Sequence, residues 1–110
     1  MMASPDSDRP AVDAELLIDH LRAVDETRAT AAVRCTRGPV RLGARFHHIR
    51  DTTASIDLEL TRILFYGHPV DELDPVCTAL VTLRGAGTAL LAPGDNTNGR
   101  HAIQGTNPPS

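Results

Sequence analysis

From Ala29 onward, apolar and polar positions alternate with a period of two in several short runs. Ala31, Val33 and Cys35 alternate with Ala32, Arg34 and Thr36, the pattern of a half-buried strand. Arg37-Gly38-Pro39 breaks this run. Val40–Leu42 is a short second segment ending at Gly43, and Ala44–Ile49 is a third. Asp51–Ser55 is a polar turn. Ile56-Asp57-Leu58-Glu59-Leu60-Thr61 is the clearest strand, with Ile56, Leu58 and Leu60 on the inner face. Ile63–Tyr66 extends it, but Thr61-Arg62 interrupts the alternation and predicts a bulge that bends the strand. Gly67-His68-Pro69 ends it, and Val70–Pro75 reads as an acidic loop. Cys77–Leu83 is a fifth strand ending at Arg84-Gly85. Ala89–Leu91 is a short sixth, closed by Pro93-Gly94-Asp95. Short strands with turn signals at near-regular spacing predict a mainly β fold, a small barrel or sandwich.

The N-terminal part follows a different period. Val12, Leu16, Leu17, Leu21 and Val24 recur at three- and four-residue spacings after Pro10, which predicts a helix from Val12 to Val24. The expected organisation is a disordered N-terminus (1–10), an amphipathic helix or linker (11–26), a barrel domain (27–95) and a disordered tail (96–110) rich in Asn, Gly, Thr and Pro.

Composition bounds this picture. The 110 residues suit one domain. With one Tyr, two Phe and no Trp, the core falls to Val, Leu, Ile and Ala. Cys35 and Cys77 cannot build a disulfide framework and read as reduced, apolar core residues of a cytoplasmic protein. No apolar run approaches the roughly 18 residues of a membrane span. A net charge of −3 argues against a generic nucleic-acid binder. Arginine is unevenly placed, however. Seven Arg lie between Arg28 and Val70 against three acids, and no Lys occurs anywhere.

Cys35-Thr36-Arg37-Gly38-Pro39-Val40-Arg41-Leu42-Gly43 resembles the segment near the start of the second, β-barrel domain of elongation factor Tu-like translational GTPases. Ala79-Leu80-Val81-Thr82-Leu83-Arg84-Gly85 is similar to that family's strand ending in Leu-Arg-Gly, and Ile56–Tyr66 stands in the place of its central strand. Pro93-Gly94-Asp95 is loosely similar to its late Gly-Asp turn. The likeness covers about residues 29–95. It implies a closed six-stranded barrel and surfaces for a protein domain or for RNA. Pro75-Val76 departs from the family's Ala-Gly before the last strand. The P-loop pattern Gly-x4-Gly-Lys-Ser/Thr is absent, so the resemblance carries no expectation of GTP binding by this chain.

The residues themselves offer few catalytic constellations. His47 and His48 point to opposite faces of a strand and cannot share a metal ion, and no ligand spacing surrounds His68 or the cysteines. One of the two histidines is expected to be exposed and the other to sit at the core edge. The cysteines fall among apolar neighbours, which favours inert thiols over nucleophiles. Asp57 and Glu59 are expected to form cross-strand ion pairs with Arg62 and Arg34 rather than an acid–base pair. No enzyme activity, metal or cofactor is expected. Arg34, Arg37, Arg41, Arg45 and Arg62 are the candidate binding residues, as a basic stripe suited to phosphate. The alternative is a solvated strand face whose charges deter edge pairing. Phe46, Phe65 and Tyr66 are expected to be mostly core, leaving little platform for stacking bases. The acidic loop, with Val70 and Leu73 among its charges, reads equally as a docking loop or as an ordinary connection. Two functions stay open: a barrel-type interaction module that docks on a protein partner or a second copy, and a translation-associated RNA-binding module that uses the arginines.

Overall fold

The computed structural model describes residues 12–50, 52–91 and 101–108. Nine strands follow one another: β1 (Ala14–Val24), β2 (Arg28–Arg37), β3 (Val40–Arg41), β4 (Arg45–Ile49), β5 (Ser55–Phe65), β6 (His68–Pro69), β7 (Glu72–Leu73), β8 (Thr78–Ala86) and β9 (Ala102–Thr106). Six of them form a closed antiparallel ring in the order β1–β2–β8–β5–β4–β9, with β9 returning to β1. The mainly β, closed six-stranded barrel is therefore present. Hairpin partner β6 lies beside β5, and β3 pairs with β7 as a separate two-stranded ribbon.

The expected N-terminal helix is a strand instead. β1 pairs with β2 from Glu15 to Val24, with register shifts at Glu15/Leu16, Ile18/His20 and Leu21/Ala23. The first shift inserts Thr36 into β2; the other two insert Asp19 and Arg22 into β1 and turn a two-residue spacing into a three-residue one, which imitates a helical period. The barrel therefore begins at Ala14 rather than at residue 27. The expected tail also holds a strand: β9 lies between β1 and β4, with Ile103 in register with both Leu16 and Ile49. The ring position expected of Ala89–Leu91 is thus filled by Ala102–Thr106. Thr88–Leu91 is a single 3-10 turn, held by the Thr88 hydroxyl donating to the Asp25 and Glu26 carbonyls. The expected disorder at 1–10 and 96–100 lies outside the described residues.

The bulge expected at Thr61-Arg62 is present, as a register shift between Leu60 and Arg62 against β8. The inner faces supply Leu16, Val33, Phe46, Leu58, Leu60, Ile63, Leu83 and Ile103, all fully buried. Burying each such side chain is worth about 1.5–3 kcal/mol relative to leaving it exposed. The acidic loop is not wholly solvated: Leu73 is buried and in register with Val40, so the β3–β7 ribbon adds both to the core. Two glycines let strands close tightly. A Cβ on Gly85 would collide with the Asp57 carbonyl, and one on Gly105 with the Arg45 carbonyl.

Candidate binding face

The five candidate arginines do not share one stripe. Arg37 Nη1 donates to the Val12 carbonyl at 3.3 Å. Arg41 Nη2 donates to the Pro108 carbonyl at 2.7 Å, and its backbone N–H to Asn107 Oδ1 at 2.7 Å. Arg45 pairs with Asp57 at 2.8 Å and with Glu59 at 3.7 Å across β4 and β5. These carboxylates were expected to pair with Arg62 and Arg34, but in-register packing of Arg45 against Glu59 decides otherwise. Three arginines thus attach strands and chain ends to one another.

Arg34 and Arg62 remain, and both lie on the outer face of the β2–β8–β5 wall. Among the described residues neither guanidinium has an ion-pair partner. Arg34 is in register with Thr78, and Arg62 with Thr82. The cross-strand row between them is apolar: Ala32 on β2 faces Leu80 on β8, and Leu80 faces Leu64 on β5. Inward neighbours Ala31, Val81 and Ile63 are buried in the core, so Ala32, Leu80 and Leu64 point outward. The row leads to the Tyr66-Gly67 hairpin turn, where Tyr66 is 86% exposed. Together these residues and Thr78 line a recess of about 280 Å³.

The sequence reading missed Ala32, Leu64, Leu80 and Tyr66. A signal for two of them exists in the runs Ile63-Leu64-Phe65 and Ala79-Leu80-Val81, where consecutive apolar residues break an otherwise alternating pattern. An antiparallel strand apolar on both faces has something to cover on its outer side. Of the three aromatics expected to be mostly core, Phe46 is buried and Tyr66 is the exposed exception. It occupies a turn position at φ 52, followed by Gly67 at φ 81, the geometry of a two-residue hairpin loop that more often carries Asn-Gly.

The opposite wall holds a buried carboxylate. Glu15, 6% exposed, accepts from Thr36 Oγ1 at 2.6 Å and from Gln104 Nε2 at 2.7 Å, and lies 3.6 Å from Arg50 Nη1. Burial pushes the Glu15 carboxyl up, but the Thr36 and Gln104 hydrogen bonds and the Arg50 and Arg37 charges outweigh it and hold the group below the usual range. His48 continues the network, with Nδ1 3.3 Å from Gln104 Oε1 and Nε2 2.8 Å from the Thr52 carbonyl. His47 is exposed, and His48 is half-buried at the core edge. This network joins β1, β2, β4 and β9. Among the described residues no cluster of three or more His, Cys, Asp or Glu is placed to hold a metal ion. Among the described residues no helix is long and apolar enough to cross a membrane.

The barrel has a counterpart among solved structures. The chain is similar to translation elongation factor SelB from Methanococcus maripaludis in its apo form, with a TM-score of 0.65 and 11% identity. The likeness covers 86% of this chain but 19% of that one. At this identity it shows the fold alone, a closed six-stranded barrel. No protein-family profile and no curated protein matches the sequence.

Proposed function

We propose that this barrel is an interaction module that docks on a protein partner through the β2–β8–β5 face. The observation that carries the reading is the outward apolar row Ala32–Leu80–Leu64, bounded by Arg34 and Arg62 without described partners and extended by Tyr66. Contiguous outward apolar residues beside an exposed aromatic and two arginines have the composition of an interface centre. A surface segment with an apolar side chain flanked by carboxylates fits it in shape and sign. The reading includes the finer assignment to the second domain of elongation factor Tu-like proteins, supported by the order of the Arg-Gly and Leu-Arg-Gly motifs and by the likeness to a translation factor. A cytoplasmic setting, and binding without catalysis or GTP, belong to the same proposal.

A photo-crosslinking residue at position 66, with a control at exposed His47, tests it in cells. Protein adducts at position 66 that persist after ribonuclease and high salt, and vanish with Leu80→Asp, are expected. Adducts to RNA alone, lost steeply with salt, would replace this reading with the RNA-binding one. Equal labelling from positions 66 and 47 would remove the face from consideration.

A further inference from the structure

Cys35 and Cys77, 42 positions apart in sequence, meet across two strands where β8 begins. The ladder ends at Arg34↔Thr78, and Cys35 and Cys77 are the next residues on the two chains beyond it. Cys35 N–H donates to the Cys77 carbonyl at 2.9 Å, and Val76 N–H donates to the Cys35 carbonyl at 2.7 Å. Two residues, Val76 and Cys77, thus oppose one, a bulge with Val76 at φ 65. Arg34 and Thr78 both point outward, so the adjoining pair shares the inner face. Accordingly, Cys35 is fully buried, and Cys77 is half-buried against the core.

We infer that Cys35 and Cys77 form an intramolecular cross-strand disulfide when the protein meets a peroxide or another two-electron thiol oxidant. The Cys35 N–H to Cys77 carbonyl bond holds the two residues at about the 5.5 Å Cα separation of a hydrogen-bonded cross-strand pair, inside the window of about 4.4–6.8 Å that a disulfide spans. The partly accessible Cys77 is the thiol the oxidant reaches first. Its thiolate attacks one peroxide oxygen, the O–O bond breaks, and hydroxide leaves a sulfenic acid. Cys35 sulfur then attacks the Cys77 sulfur, the S–S bond forms, and the S–O bond breaks to release a second hydroxide. The two thiol protons neutralise both hydroxides, so two thiols lose two electrons and peroxide becomes two waters. Burial pushes the Cys35 thiol up, while the backbone N–H groups of Arg37 and Val40 aim at its sulfur and favour the thiolate that this second attack requires.

The test uses the folded full chain with dilute hydrogen peroxide, and separately with diamide. Expected are loss of both titratable thiols, a mass lower by about 2 Da in a monomeric product, and a non-reduced tryptic adduct joining Cys35–Arg37 to Ile63–Arg84. The native fold should speed closure at least about tenfold over the same chain in guanidinium, because the strands hold the sulfurs together. Cys77→Ser, at a half-buried position that tolerates a hydroxyl, should abolish the mass loss. Closure no faster when folded, covalent dimers alone, or Cys77 oxidised to the sulfinic acid with Cys35 still free would each overturn the assignment.

Discussion

Around β9, three arginines serve the barrel itself: Arg41 grips the Pro108 carbonyl, Arg45 ties β4 to β5, and Arg50 faces buried Glu15. On the β2–β8–β5 wall, Arg34 and Arg62 flank an apolar row and have no described ion-pair partner. The residue type is the same, and neighbours decide its use. A guanidinium within reach of a carboxylate or a strand-end carbonyl closes the wall. One standing over Thr and Leu stays available. The lesson is that a count of arginines along a chain says little about a basic surface until register assigns each one a neighbour.

Breaking the closed side should have the largest effect. In Gly105→Ala the new Cβ would meet the Arg45 carbonyl, separating β9 from β4. A loss of about 3 kcal/mol or more is expected in urea denaturation, in the range of severe backbone clashes. An unchanged midpoint would mean that β9 does not sit in the ring. Next comes Glu15→Ala, which removes the acceptor shared by Thr36 and Gln104, at about 1–2 kcal/mol. The Glu15 carboxyl is depressed in the fold, so its contribution is complete above its unfolded value, about pH 4.3. It is lost as pH falls through the lower folded value. Glu15→Gln should therefore flatten the acid limb of a stability–pH curve, and a limb as steep as the wild type's would refute the network.

On the open side the expected stability changes are smaller. Val76, 81% exposed, holds a left-handed conformation that disfavours branched side chains. Val76→Gly should raise stability by about 1 kcal/mol, after the entropy of the unfolded glycine is subtracted. A loss measured by the same denaturation would show that the side chain has packing partners. Smallest of all, Arg34→Glu with Arg62→Glu should move stability by less than about 0.5 kcal/mol. The same pair should abolish the crosslinks from position 66. Intact crosslinks would place the partner elsewhere.

Much of the barrel was legible because its strands are half-buried and carry the two-residue period on their surface. β2, β4, β5 and β8 all appear near their expected positions, as does the bulge before Arg62. The elements misread are those where that signal is broken or thin. Two inserted residues, Asp19 and Arg22, gave β1 a helical spacing. β9 shows only Ala102 and Ile103 as apolar residues among Gln, Gly and Thr, and nothing local marks it as a strand. The binding face was half legible: Arg34 and Arg62 were named, but the apolar row between them comes from three separate strands.

By itself, the sequence determined the mainly β class, the alternation that selects the core, and the turns, because each depends on neighbours within a few positions. Tertiary structure alone decided that β9 completes the ring, that Arg45 belongs to Asp57 while Arg34 and Arg62 have no ion-pair partner among the described residues, and that Cys35 meets Cys77. Those outcomes depend on register between strands far apart in the chain. A shift of one residue exchanges the faces of a strand, and only closure of the whole barrel selects one register.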